Sequence, residues 1–360
     1  MAGRPSINFP PGEVVLNVKL INPVNFGPAI IKRFMEPPVP GVEKKKPGPV
    51  LTFLLEHPSG LRLVFDLGIR KDYENYAPSI ANYIPTTNYD IQVTDNVADI
   101  LEKNGISKKS INGVIWSHWH WDHIGDPSSF PSTTDLIVGQ GFSEAMLPGY
   151  PANQKSPIRE SDYTGRNLRE IRFNGPDALR IGQFPAVDYF GDGSFYLLDS
   201  PGHAIGHLCG LARTTANPPT FILMGGDICH YPGIFRPSEY LPLPKSISPH
   251  PFRQDQSLPF CPGSVFEELQ SSRGRRPTDS LYDMCFGHDI PLAMKTRNHL
   301  QELDWHEDVF TIIAHDAAVR DGVDHFPQSL NAWKKKGWGR SLKWRWLRDL
   351  EPYWTSRGLN

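Results

Sequence analysis

A chain of 360 residues holds two domains at most, or one large domain with insertions. Thirty-seven Lys and Arg against 39 Asp and Glu leave a formal charge of −2, so no overall positive field exists to hold nucleic acid or an anionic membrane. Hydrophobic residues at 39% allow a sizeable core, and 35 prolines, about twice the usual share, imply stiffened loops rather than a helical bundle.

The four cysteines, Cys209, Cys229, Cys261 and Cys285, have no C-x-x-C spacing. Zinc-knuckle and thioredoxin-like readings therefore fall away, and reduced thiols are expected. Residues 1–13 carry Pro5, Pro10 and Pro11 and no apolar run, unlike a signal peptide. No apolar stretch reaches the roughly 18 residues of a membrane span. A soluble cytoplasmic protein of unknown oligomeric state is the expectation.

In chain order, residues 14–22 alternate apolar and polar and predict a strand. A Pro-rich loop follows around Pro37 to Pro49, and its Lys44-Lys45-Lys46 run reads as a solvated loop. Residues 52–68 predict a hairpin that turns at His57-Pro58-Ser59-Gly60 and ends at Asp66. Helical spacing of Val97, Ile100 and Leu101 stops at Gly105, and 111–118 is a short buried strand. Further on, strands are predicted at 195–199, 220–225 and 311–314. They run into His203, Asp227 and His315-Asp316 respectively. Each apolar strand thus delivers His or Asp at its C-terminal end, where loops can converge on one cleft.

Residues 231–300 are Pro-rich and weakly periodic in their first part. They are expected to be an insertion that forms a pocket wall or lid, with Phe235, Tyr240, Phe252 and Phe260 as its aromatic surface. At 341–354 a short amphipathic helix is predicted. Its Trp344, Trp346, Leu347 and Leu350 either dock on the body or meet a membrane or partner.

The segment SHWHWDHIGD, 117–126, contains His118, His120, Asp122 and His123 in an H-x-H-x-D-H pattern. In an extended segment i and i+2 project to one side, so His118 and His120 can grip one ion. If the chain then turns, Asp122 and His123 are aimed at a second position. Neutral imidazoles with carboxylate oxygens suit Zn²⁺, and also Fe or Mn. Trp119 and Trp121, between the ligands, must point elsewhere, into the core or onto an apolar pocket wall.

Taken together, these motifs resemble the metallo-β-lactamase superfamily. They are Asp66 in FDLG, the His118 to His123 cluster, His203 in SPGH, Asp227 in GGD and His315 in IIAHD. The resemblance implies a single α+β domain over 1–360, an αββα sandwich with its insertion between the fourth and fifth motifs. It implies two Zn²⁺, the first on His118, His120 and His203, the second on Asp122, His123 and His315, with Asp227 bridging. Asp66 would support the site without ligating. His207 is a candidate for a supporting role or a ligand, Cys229 for a small buried residue, and the remaining histidines for structural or exposed positions.

What the resemblance implies chemically is a hydrolase acting on a small molecule, with a metal-bridging hydroxide attacking a carbonyl. Asp122 or Asp227 would relay the proton. In the lactonase branch a tyrosine three residues after the bridging aspartate holds the carbonyl. Here that position is His230, and Tyr231 comes one later, so either is a candidate. Nucleic-acid-processing, flavodiiron and persulfide branches lack their marks here. Stretches such as SHWHWDHIGDPSSFP are similar to a fungal branch. Opening of a small cyclic ester or amide is therefore expected, with a thioesterase or a non-catalytic binding descendant as alternatives.

Overall fold

Along residues 52–56, Phe53 and Leu55 face one side and Leu54 the other, and all three are buried. Residues 195–199 repeat this, with Phe195 and Leu197 on one face and Tyr196 and Leu198 on the other. A strand apolar on both faces must be covered on both, which is the requirement of an inner strand in a layered sandwich. The computed structural model, which describes residues 3–176, 178–252 and 260–357, meets that requirement with two six-stranded sheets.

The first sheet is in chain order throughout: β1 (Asn17–Ile21), β2 (Thr52–Glu56), β3 (Arg62–Phe65), β4 (Gly113–Ile115), β5 (Asp135–Val138) and β6 (Leu168–Glu170). β1, β2 and β3 pair antiparallel, and β3 through β6 run parallel. The second sheet runs β7 (Ala178–Ile181), β8 (Phe184–Asp188), β9 (Phe195–Asp199), β10 (Leu208–Ala216), β11 (Pro219–Met224) and β12 (Val309–Ile312). Its last pair is parallel and the others antiparallel.

Three apolar layers result. Phe53, Phe65 and Ile115 meet Phe195, Leu197 and Met224 between the sheets. Leu54, Val64 and Val114 pack outward against Val97 and Leu101 of helix α1 (Val97–Lys103). Tyr196, Leu198 and Leu223 pack outward against Leu300 and Leu303 of a 15-residue helix, Ile290–Asp304. This is the expected αββα sandwich. The C-terminal segment docks on that last layer through buried Trp346, Leu347 and Leu350, although 345–350 forms a 3-10 helix before the helical turn Glu351–Ser356. Among the described residues no helix is long and apolar enough to cross a membrane.

Two small ladders extend the first sheet's end of the molecule. Val24–Gly27 lies between Gly48–Pro49 and Asp90–Val93, and Ala29–Ile30 pairs with Lys44–Lys45.

Candidate metal centre

Every residue of the cluster sits just past the C-terminal end of a strand. Asp66 follows β3, Ser117 and His118 follow β4, His203 follows β9, Asp227 follows β11 and His315 follows β12. The neighbouring parallel pairs β3–β4 and β11–β12 bring their C-terminal ends to the same edge. After His120 the chain makes a single helical turn, α2 (Trp121–Ile124), which carries Asp122 and His123 back toward His118. Asp227 is reached through Gly226, at φ +50°, where a Cβ would stand 2.7 Å from that of Ser117. Only glycine permits that approach of the two loops.

Two groups of ligand-type atoms form there. His118, His120, His203 and Asp227 make one; Asp122, His123, Asp227 and His315 make the other; within each group the atoms lie within 4.8 Å of one another. Nε2 of His203 is 3.1 Å from Nε2 of His118 and 2.9 Å from Nδ1 of His120. Nε2 of His315 is 3.0 Å from Oδ1 of Asp227 and 3.5 Å from Oδ2 of Asp122. His123 Nε2 faces the same Asp227 Oδ1 at 3.3 Å.

The outer hydrogen bonds fix which nitrogen is bare, since carbonyls and carboxylates only accept. His315 donates from Nδ1 to the Pro49 carbonyl at 2.9 Å. His123 donates from Nδ1 to Asp66 Oδ2 at 2.8 Å. Ser117 gives its hydroxyl proton to that Asp66 oxygen and stands 3.0 Å from His118 Nδ1, which therefore donates to it. In all three rings, when neutral, Nε2 is left as an acceptor aimed inward. Asp66 itself, held by the Ser117 amide as well, keeps a left-handed φ of +60° that is rare outside glycine. It faces His123 and Ser117, as expected of a supporting group.

His207 stands outside both groups, with each ring nitrogen already engaged. Its Nε2 accepts the Asp227 backbone N–H at 3.1 Å, and its Nδ1 donates to Ser200 Oγ at 2.8 Å. Cys229 is buried in the outer apolar layer, where burial pushes its thiol upward.

Burial and neighbouring imidazoles hold His118 and His203 well below the usual histidine range, and burial takes His120 down to about 4. Burial also disfavours charge on His123, yet Asp227, Asp122 and Asp66 outweigh it and hold that ring well above its ordinary value. Against its own burial, Asp227 is held far below the carboxylate range by His315, His123 and His230. Among the described residues, Asp227 Oδ1 and His123 Nε2 are buried without a hydrogen-bond partner. Side-chain nitrogens and carboxylate oxygens that converge on one another in this way fit divalent cations of the N/O-binding kind.

A cavity of about 360 Å³ opens over this cluster. Asp122, Asp227, His120, His230 and His315 form its floor; Phe26, Phe34, Tyr89, Trp119, Trp121 and Phe286 supply its apolar wall. Trp119 and Trp121 thus serve both as wall and as partners of the outer core. The wall comes mainly from 26–48 and 80–89, with a smaller share from 231–300. Of the described residues of 231–300, only Phe286 lines the cavity. Phe235 is core, Phe252 packs on Phe266 and Trp354, Phe260 is exposed, and Tyr240 lines a separate polar recess.

His230 and Tyr231 are separated as well. His230 lines the cavity with Nε2 3.3 Å from Asp227 Oδ2. Tyr231 is buried behind it and donates its hydroxyl to the Trp346 carbonyl at 3.0 Å. The extended backbone at Tyr231 turns consecutive side chains to opposite sides, which removes it from the floor. Lys45, read as part of a solvated loop, lines the cavity and donates from Nζ to the His230 carbonyl at 2.9 Å.

Comparison with known proteins agrees with this geometry. A family model described as the metallo-beta-lactamase superfamily matches residues 46–214. Gamma-lactamase FDB1 of Fusarium pseudograminearum (strain CS3096) is 41% identical over 358 residues, 97% of this chain and 86% of that protein. Metallo-hydrolase mfmC of Annulohypoxylon moriforme is 40% identical over 356 residues, covering 97% and 91%. Among solved structures, a quorum-quenching N-acyl homoserine lactone hydrolase superposes with a TM-score of 0.56 at 18% identity, over 88% of this chain and 99% of that one. With that family model and relatives about 40% identical over nearly their whole length, the chain belongs to the metallo-β-lactamase superfamily.

Proposed function

We propose that the chain is a dinuclear metal-dependent hydrolase that opens a small, largely apolar cyclic ester or amide. The reading is carried by one observation: two groups of inward acceptors share Asp227 at the floor of an apolar cavity. His118, His120 and His203 would hold one cation, Asp122, His123 and His315 the other, and Asp227 both. Zn²⁺ suits this donor set, and Fe or Mn can replace it. Such a cation pair, when bound, supplies Lewis-acid polarisation of a carbonyl and a nucleophile at neutral pH.

The chain's own residues do the rest. Trp119, Trp121, Phe26 and Phe286 exclude water and press a flat ring toward the floor. His230, which lines the cavity beside Asp227, would donate from its imidazole to the carbonyl oxygen as negative charge builds there. Asp122 or Asp227 moves the proton to the departing oxygen or nitrogen. The elements of water are added, the ring C–O or C–N bond breaks, and a carboxylate with a free hydroxyl or amine results. The printed names of the relatives, a gamma-lactamase and a metallo-hydrolase, support this class.

The test is turnover of a panel of lactones, lactams and thioesters by purified, metal-loaded protein. Hydrolysis of a lactone or lactam, abolished in Asp227→Ala, is expected. A preference for thioesters alone would move the substrate class, and no turnover of any member would overturn the reading.

A further inference from the structure

Charge is divided between the floor and the wall of the cavity. Its carboxylates, Asp122 and Asp227, both belong to the convergent acceptor groups, whereas its other charged side chains, Arg33, Lys45 and Lys46, are cations. Arg33 donates to the Tyr83 hydroxyl, and Lys46 reaches Glu351 at 3.4 Å on exposed surface. Lys45 is different. Its backbone is fixed opposite Ala29 in a short ladder, its side chain is partly buried, and its ammonium is tied to the His230 carbonyl at 2.9 Å. Among the described residues no carboxylate pairs with it; Asp349, Asp227, Asp316 and Asp122 act only at longer range.

One carbonyl uses one of three ammonium protons. Withdrawing a cation from water is costly unless acceptors meet it, and this wall offers it no counter-charge. Once Asp122 and Asp227 are engaged with cations at the floor, Lys45 keeps only the longer-range carboxylates Asp349 and Asp316, and no direct ion pair, beside the bound molecule.

We propose that Lys45 recognises an anionic group, a carboxylate or its equivalent, on the part of the ligand that does not react. It thereby selects charged over neutral molecules of the same shape. The inference rests on the reading of this cavity as the hydrolase's substrate site. Because the ammonium is anchored on the backbone of His230 and not on its imidazole, the anion would sit beside the reacting carbonyl rather than on it.

The test uses benzoate and benzamide, flat probes that differ in charge, titrated into metal-loaded protein and read by the fluorescence of Trp119 and Trp121. Metal contributions are common to wild type and variants, so the change in the benzoate-to-benzamide preference isolates Lys45. Lys45→Met is expected to lower that preference about tenfold, the scale of one charge-assisted hydrogen bond. Lys45→Arg should keep most of it, and Lys44→Met, on the exposed neighbour of the same ladder, should keep all of it. A fall of less than about threefold in Lys45→Met, or an equal fall in Lys44→Met, overturns the proposal. Should Lys45→Met not fold, Lys45→Gln is judged by the same rule. If wild type hydrolyses nothing yet shows a Lys45-dependent preference, the hydrolase reading fails and this one stands. If it hydrolyses lactams with a preference indifferent to Lys45, only this one fails.

Discussion

His123 donates from Nδ1 to Oδ2 of Asp66 at 2.8 Å, which leaves its Nε2 as a bare acceptor 3.3 Å from Asp227 Oδ1. A residue outside both acceptor groups thus decides which ring nitrogen points into them. Asp66→Asn tests this cleanly, because asparagine tolerates the left-handed φ of +60° that Asp66 adopts. An amide can donate where the carboxylate only accepted, so the His123 tautomer is no longer fixed. Metal affinity is expected to fall about 10- to 100-fold with the fold retained, measured by chelator competition and thermal unfolding.

His203 and His207 lie four positions apart, and their rings sit 5.8 Å from each other. They should nevertheless respond differently to alanine. Removing His203 takes away one donor of the first group and should cost about one cation per chain. Removing His207 unpairs the Asp227 amide and should lower stability by about 1–3 kcal/mol while metal stoichiometry is kept. Elemental analysis beside urea unfolding separates the two outcomes.

Tyr231→Phe should leave kcat within about twofold and lower stability, because the Trp346 carbonyl loses its donor. His230→Ala should lower kcat/KM about 10-fold or more on any substrate the protein turns over. The reverse ranking would put the carbonyl donor on the tyrosine.

Stability of the metal-stripped protein should fall on acidification. Burial keeps His118, His203, His120 (to about 4) and His207 (to about 3) uncharged in the fold, whereas each titrates near its ordinary value when unfolded. Between about pH 6.5 and pH 4 the unfolded chain therefore binds more protons at these four rings, and stability drops as pH falls through that window. His123, whose pKa is raised by Asp227, Asp122 and Asp66 against its burial, works in the opposite sense. Urea midpoints at pH 7 and pH 5 in the presence of chelator measure the balance, and a lower midpoint at pH 5 is expected.

Much of this site was legible in the sequence because its parts obey short-range rules. The spacing of His118, His120, Asp122 and His123 survives folding as an extended stretch followed by one helical turn. His203, Asp227 and His315 each trail a strand whose apolar run marks it. The cavity wall was not legible for the opposite reason. Phe26 and Lys45 sit on two- to four-residue strands and Phe34 ends the 3-10 turn Ile31–Arg33, all too short for any period to show. Proline content pointed instead to the later segment. There Arg236 forms a buried pair with Asp304, which also holds Lys343, and so ties 231–240 to the outer helix and the C-terminal region rather than to the cavity. A lysine triplet reads the same whether it lies in solvent or on a wall; only its partner, the carbonyl of His230 185 positions away, tells the two apart.

Turnover is expected to depend on two cations that share Asp227. Elemental analysis of wild type and Asp227→Ala, run beside the lactone and lactam panel, addresses it most directly. Wild type should return about two divalent ions per chain, and the variant fewer, with turnover lost. A metal-free wild type that still hydrolyses the panel, or an Asp227→Ala protein that keeps both ions and full rate, would contradict it.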